Sequence, residues 1–318
     1  MSYRSPAPSF LGIRVLDFID LHSIVDYIDW NFFFYTWQIP GKYPEMEKLC
    51  ECPSCKTAWL LKFPEETRKK AEEALKLFTD AREVLKIYIS NGQLTAKAIL
   101  YFSRAKSEND GITFYFDSEN REKYHIPMLR QQKPNEKSGF CYSLSDFISS
   151  QQEDYMGAFA VTIHGAEEII KRYQEEGDEY SALLIRSIAD RLAEAASEWL
   201  HEQVRKQYWG YSSEEKFSVE ELRKVRYQGI RPAIGYPCIP DQSVIFELNQ
   251  ILHVEQIGIT LTESGLMLPN ASVCGLYFSH PAAFYFMIGK IGEDQLKDYA
   301  ARRGYTVDEM KKWLARNG

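Results

Sequence analysis

Apolar residues along this chain change their period from block to block, and each change marks an element. From Ile13 to Trp37 the chain is densely apolar. Leu21, Ile24, Val25 and Ile28 recur at helical spacing, and Asp20 is placed to cap the helix they define. That spacing predicts an end near Asp29–Trp30, where the aromatic run Phe32–Tyr35 begins, and Gly41 and Pro44 mark a turn beyond it. A longer helix is predicted from Pro64 to Tyr88. Pro64 suits its first turn, Glu65 and Glu66 complement its amino end, and Ala71, Ala74, Leu75, Phe78, Ala81, Leu85 and Tyr88 form its apolar stripe. Strand-like segments follow at 96–102 and 111–117, joined by a polar loop over 103–110 that contains Asn109, Asp110 and Gly111.

The segment 121–153 reads as polar and irregular, and Tyr155–Ile163 as a strand. A long helical region over 167–209 carries a break near Gly177, and Leu184, Ile188, Leu192, Ala195, Ala196, Trp199 and Val204 share one face of it. Asp190, Glu194 and Glu198 form a separate acidic row at intervals of four. Ser218 with Glu221, and Thr306 with Glu309, are capping-box pairs that predict helices over 219–227 and 307–315. Between them the pattern predicts a helix over 243–256, strands at 272–278 and 284–291, and a helix over 293–302 closed by Gly304. No repeat and no regular strand–helix alternation runs through the chain. The expected class is therefore α+β, with a single large domain over residues 10–318 behind a flexible lead of residues 1–9.

Composition narrows the function classes. The chain has 318 residues, of which 45% are hydrophobic and 26% charged, as in ordinary folded proteins. Its net charge of −7 and the lack of a long basic run argue against a dedicated nucleic-acid binder. No apolar run has the length of a membrane span, and the amino-terminal residues lack the apolar core of a secretory signal. Six cysteines, three of them at 50, 52 and 55, suit a reducing, cytoplasmic setting with free thiols. Aromatic residues reach 14%, enough to fill a large core or to line a face for a flat organic partner.

The densest chemical signal is Arg231-Pro232-Ala233-Ile234-Gly235-Tyr236-Pro237. Two prolines and a glycine make a loop able to hold Arg231 and Tyr236 in fixed relation. The guanidinium suits a carboxylate, and the phenol offers a hydroxyl and an aromatic face. A plain turn with Arg231 in a salt bridge is the competing reading. Glu194 is either a solvated helix residue or an acceptor for vicinal hydroxyls, and Asp29, set between Ile28 and Trp30, needs a cationic partner if buried. Cys50, Cys52 and Cys55 give C-x-C-x-x-C, a soft donor set for zinc that lacks an evident fourth ligand, or simply a loop. Zinc-protease, nucleophile-elbow, dinucleotide-binding and P-loop motifs are all missing.

Several passages together carry a family resemblance. They are Tyr27-Ile28-Asp29-Trp30, Gly41-Lys42-Tyr43-Pro44, Asp190-Arg191-Leu192-Ala193-Glu194-Ala195 and His201-Glu202-x-Val204-Arg205-Lys206. The most specific is Tyr227-Gln228-Gly229-Ile230-Arg231-Pro232-Ala233-x-Gly235-Tyr236-Pro237. Leu261-Thr262-Glu263-Ser264, Tyr277-Phe278-Ser279-His280-Pro281 and Asp298-Tyr299-Ala300 complete the set. In this order, over about residues 10–315, these passages resemble the activation domain of cobalamin-dependent methionine synthase. Gln242 stands where the family commonly has a histidine, and the Cys50–Cys55 segment is not part of the family pattern.

The resemblance implies a single α+β domain with a twisted antiparallel sheet surrounded by helices. It implies a module that binds S-adenosyl-L-methionine, docks on a cobalamin-binding module in cis or in trans, and supports reductive methylation of cob(II)alamin with an electron from flavodoxin or a flavoprotein reductase. Such a module makes no methionine by itself. The implied ligand positions are Asp29, Glu194, Arg231, Ala233, Gly235, Tyr236, Tyr285 and Phe286. On that assignment Arg231 clamps the methionyl carboxylate, Asp29 pairs with the ammonium group and Glu194 receives ribose hydroxyls. Backbone near Ala233 and Gly235 holds the adenine or methionyl portion, and Tyr236 faces the methyl group and the corrin. No residue serves as a nucleophile. Two other readings stay open: a module that senses S-adenosylmethionine without methyl transfer, and a zinc-supported interaction protein built on Cys50–Cys55.

Overall fold

Side-chain period and turn chemistry translate into seventeen regular strands and α-helices among the described residues, 3–116, 123–136 and 138–314 of a computed structural model. In chain order they are β1 (Gly12–Ile19), α1 (Trp30–Thr36), α2 (Pro53–Leu60), α3 (Glu65–Ser90), β2 (Thr95–Glu108), β3 (Gly111–Tyr115), β4 (Lys123–Pro127) and β5 (Asp154–His164). There follow α4 (Ala166–Glu175), α5 (Glu179–Gln203), α6 (Val219–Arg223), α7 (Val244–Leu252), β6 (Thr260–Leu261), β7 (Met267–Leu268), β8 (Ser272–Tyr277), α8 (Glu293–Arg303) and α9 (Val307–Leu314). The α+β class and the antiparallel sheet agree with the sequence. Residue 117 of the expected strand 111–117, residues 121–122 and 137 of the irregular segment, residue 315 of the last helix and residues 1–2 of the lead lie outside the described residues. No described helix is long and apolar enough to cross a membrane.

The chain packs as two compact units. One comprises Met1–Ile19, Lys97–Thr162 and Ser197–Gly318, and the other Asp20–Ala96 and Ile163–Ala196. The first unit is built on a six-stranded sheet in the order β4-β3-β2-β5-β8, with β1 also pairing with β2. The β2–β3, β3–β4 and β5–β8 pairs are antiparallel. Here the polar loop expected over 103–110 is mostly strand. β2 continues to Glu108, opposite Gly111, and the turn consists of Asn109 and Asp110, both with positive φ (49° and 52°). Asn and Asp tolerate that backbone, and a two-residue turn of this kind matches the twist of the paired strands. The alternation of Arg104, Lys106 and Glu108 with buried Ser103 and Ala105 is a strand period that polarity hid.

Two further expectations change in this unit. β4 pairs with β3 from Tyr115↔Lys123 to Gly111↔Pro127, inside a stretch read as irregular. The described part of the lead, residues 3–9, makes contacts with distant chain: Ser9 N–H donates to the Tyr208 carbonyl (3.0 Å), Trp209 Nε1–H donates to the Pro6 carbonyl (2.9 Å), and buried Ser5 Oγ lies 2.5 Å from Ser279 Oγ. Proline-rich composition signalled a tether, but these residues fasten to chain that is distant in sequence.

The second unit is helical. Pro64 precedes α3 as its cap, one position before the first turn expected for it, and every member of the predicted apolar stripe from Ala71 to Tyr88 is buried. The helix expected over Asp20–Asp29 is instead two short 3-10 turns, Leu21–Ser23 and Val25–Tyr27. The aromatic run becomes α1: Asp29 caps it, its carboxylate accepting from the Asn31 N–H at 2.9 Å. Trp30 packs edge-on to Phe33 and Phe78 (5.3 and 4.7 Å between ring centres), which explains why aromatic residues rather than aliphatic ones carry this helix. Tyr180 OH donates to Asp80 (2.7 Å), and the Tyr88 and Tyr173 hydroxyls meet at 2.8 Å, joining α3 to α4 and α5.

In this unit the cysteine loop leads into α2. Cys52 is the residue before the helix, its sulfur accepting from the Cys55 N–H at 3.3 Å, and Pro53 occupies the first helical position. Hydrogen bonds from Cys55, Ser54 and Cys50 lower the Cys52 thiol to about 6. Trp59, on the same helix, is buried and donates from Nε1 to the Pro44 carbonyl at 2.8 Å.

Candidate functional site

Residues 230–239 of the first unit lie against the outer edge of β8. Ile230 N–H donates to the Phe278 carbonyl (2.9 Å) and Phe278 N–H returns the bond (3.0 Å). Leu276 N–H donates to the Pro232 carbonyl (3.0 Å), and Ile234 N–H to the Cys274 carbonyl (2.9 Å). Proline has no N–H, yet the ladder needs only its carbonyl here, so Pro232 stiffens the segment without leaving a gap. Gly275 permits the approach. A Cβ there would lie 2.4 Å from the Pro232 carbonyl oxygen and 2.9 Å from Ala233 Cα.

The next residues turn back on themselves. Gly235 takes φ +84°, its N–H donates to the Ile239 carbonyl (2.8 Å), and Ile239 N–H donates to the Tyr236 carbonyl (2.8 Å). Tyr236 is left 50% exposed at the crest. The segment 284–291, expected as a strand, is not one. It is nonetheless fixed to the turn: Cys238 Sγ donates to the Phe286 carbonyl (2.8 Å) and accepts from the Phe286 N–H (3.2 Å), while Ile288 N–H donates to the Pro237 carbonyl (3.0 Å). The structure thus brings Arg231, Ala233, Gly235, Tyr236, Tyr285 and Phe286 together on two interlocked segments.

Arg231 is the charged centre of this group. Its Nε–H lies 3.1 Å from Glu198 Oε2, with both side chains only 15% exposed, and its backbone N–H donates to the Tyr285 hydroxyl at 3.0 Å. The other Glu198 oxygen, Oε1, is buried without a hydrogen-bond partner among the described residues. A buried carboxylate oxygen in that state is an acceptor suited to a ligand's N–H or O–H. Burial raises the Tyr227 phenol above its ordinary range, with Glu198 adding to the rise, so it stays neutral at physiological pH. Tyr285 is 40% exposed.

Behind this group sits a buried polar layer that the sequence reading left without a role. Arg205 and Glu215 form a closed ion pair, Nη2 to Oε1 at 2.7 Å and Nε to Oε2 at 2.9 Å, with side-chain exposures of 0% and 2%. The Arg205 guanidinium stacks 4.0 Å above the Tyr227 ring. His201 lies parallel to Tyr277 and 3.3 Å from the Tyr211 hydroxyl, and burial drives its pKa well below 6.5. This layer packs against Tyr227, and Tyr285 is held by the Arg231 N–H. Glu198 was visible only as the third member of the Asp190–Glu194–Glu198 row. Nothing in its local sequence distinguished it from a solvated residue.

Asp29 and Glu194 belong to the second unit. Asp29 is half-buried and engaged as the cap of α1; Glu194 is half-buried on α5. Burial raises the carboxyl of Asp190, on the same helix, and Glu194 and Glu167 add to that rise while Arg191 and Arg186 oppose it.

Arg231 paired with Glu198, a buried carboxylate oxygen and the exposed aromatic crest of Tyr236 thus lie on this part of the first unit. Residues 20–304 match the family described as vitamin B12 dependent methionine synthase, activation domain. The chain is 37% identical to a solved structure, the MetH reactivation domain bound to AdoHcy, with a TM-score of 0.86 over 99% of this chain and 93% of that one. This chain belongs to the activation-domain family of vitamin B12 dependent methionine synthase.

Proposed function

We propose that this domain binds S-adenosylmethionine and supports reductive methylation of cob(II)alamin to methylcobalamin on a cobalamin-binding module, with one electron from flavodoxin or a related flavoprotein. The observation that carries the reading is the Arg231–Glu198 pair beside Tyr285, in a chain of this family. The AdoHcy of the solved relative is what S-adenosylmethionine becomes on losing its methyl group. The sulfonium supplies an activated methyl and the partner's reduced cobalt supplies the electron pair that takes it, the C–S electrons remaining on sulfur.

The chain's own work is then positioning. Arg231 grips the ligand carboxylate, and Glu198 holds the guanidinium while offering Oε1 to a ligand donor. Asp29 receives the ammonium group and Glu194 the ribose hydroxyls. The backbone at Ala233 and Gly235, stiffened by the β8 ladder, lies along the ligand, with Phe286 clamping the turn from behind. Tyr236, exposed at the crest, faces the corrin and limits the directions from which the methyl group is reached. The protein acts in the cytoplasm on a partner and makes no methionine alone.

The test combines cob(II)alamin-loaded partner module, reduced flavodoxin and methyl-labelled S-adenosylmethionine. Label on cobalt, dependent on this chain, is the expected result. Binding by calorimetry without transfer of label would leave a sensing module and defeat the catalytic reading.

A further inference from the structure

The cysteine loop has no part in that function, and its geometry points to a second site: we propose that Cys50, Cys52 and Cys55 hold one zinc ion through three thiolates, with the fourth position open to solvent. The three sulfur atoms converge, all lying within 4.8 Å of one another, and Cys50 Sγ stands 3.1 Å from Cys52 Sγ. Sulfurs bound to one tetrahedral zinc at about 2.3 Å lie roughly 3.8 Å apart. No pair therefore has to close by more than about 1 Å, within the reach of side-chain rotation.

The backbone explains the convergence. Cys52 occupies the position before α2, Pro53 fixes the first turn, and Cys55 follows one turn later on the same side. The Cys55 N–H already points at Cys52 Sγ (3.3 Å), the kind of outer hydrogen bond that orients a metal-bound thiolate. Trp59 anchors the far half of α2 through Pro44. Among the described residues no histidine, carboxylate or further cysteine joins the three. The donor set is purely soft, which selects zinc or copper(I) over magnesium or calcium. Cys50 is exposed, so the fourth position faces water. Three thiols also leave one unpaired in any disulfide, whereas a single ion engages all of them.

The experiment uses the full chain, purified under reducing, oxygen-free conditions. Zinc is titrated against a chromophoric chelator, with copper(I) as a parallel arm. X-ray absorption on the zinc-loaded chain counts the bound atoms. Expected are one zinc per chain, a shell of three sulfurs and one lighter atom, and affinity at least about tenfold weaker in each of C50S, C52S and C55S. Far-ultraviolet dichroism checks that the variants are folded, and the wild-type sulfur count stands without them. Zinc below about 0.2 per chain with the thiols still reduced, a shell dominated by nitrogen and oxygen, or tight binding of copper(I) alone would each overturn the assignment.

Discussion

Ala233 lies directly across a β-bridge from Gly275, close enough that a single methyl group on residue 275 would strike the Pro232 carbonyl. The candidate loop is thus held by backbone contact with the sheet, and its rigidity depends on a residue outside it. Gly275→Ala requires loop or strand to move, and overpacking of this kind costs about 1–3 kcal/mol. A lower midpoint in denaturant unfolding is expected, together with weaker S-adenosylmethionine binding by calorimetry. Unchanged affinity would mean that the ladder does not support the site.

The pairing of Arg231 with Glu198 separates two roles that single substitutions mix. Arg231→Ala removes the carboxylate clamp and leaves Glu198 without its cation, so S-adenosylmethionine affinity is expected to fall by about tenfold or more. Glu198→Gln keeps the shape and an acceptor but loses the charge that orients Arg231, and a smaller loss is expected. Equal affinity in wild type and Arg231→Ala would remove Arg231 from the ligand.

Much of the architecture was legible because single principles governed it. The stripe of α3, the break between α4 and α5, and both capping boxes follow from local period and cap chemistry, and Ser218–Glu221 and Thr306–Glu309 form as expected. Boundaries failed where tertiary pairing outweighed local composition. β2 runs through polar residues because β3 provides its ladder, and residues 284–288 gain their order from the Cys238 thiol rather than from a strand partner. Residues 3–9 looked loose because their partners lie far away in sequence.

At the site, the Arg231–Tyr236 loop was legible from its prolines and glycine. Glu198 and the Arg205–Glu215 layer were not, since burial of a charge depends on neighbours that no local spacing reveals. Gln242 illustrates the same point: its side chain donates to the Gly265 carbonyl at 2.7 Å, a contact that ties it to the β6–β7 turn.

The buried Arg205–Glu215 pair makes a sharper demand on stability than on binding. Removing one member leaves a charge without solvent or partner, and Glu215→Gln is expected to cost about 3–5 kcal/mol. Arg205 also stacks on Tyr227, so a double variant with apolar residues of similar size at 205 and 215 should recover part of that loss. Chemical denaturation of Glu215→Gln, of Arg205→Met and of the double variant checks this. Additive losses would show that the two charges do not act as a pair.

His201 gives the fold a direction in pH. Its burial, reinforced by the nearby charges of Arg205 and Arg231, holds its pKa well below the 6.5 of an exposed histidine. Well above pH 6.5 the ring is neutral in both folded and unfolded chains and contributes no pH dependence. As the pH falls through 6.5 the unfolded chain takes up a proton that the folded chain refuses, so stability declines by up to about 1.4 kcal/mol per pH unit until the folded pKa is reached. Contributions from other groups are common to the variant His201→Gln, which cannot titrate at this position and keeps a hydrogen-bonding group near Tyr211. Unfolding free energies measured in steps from neutral to mildly acidic pH should therefore fall more steeply for the wild type, by about one proton. Parallel slopes would place the proton elsewhere and remove His201 as the origin of acid sensitivity.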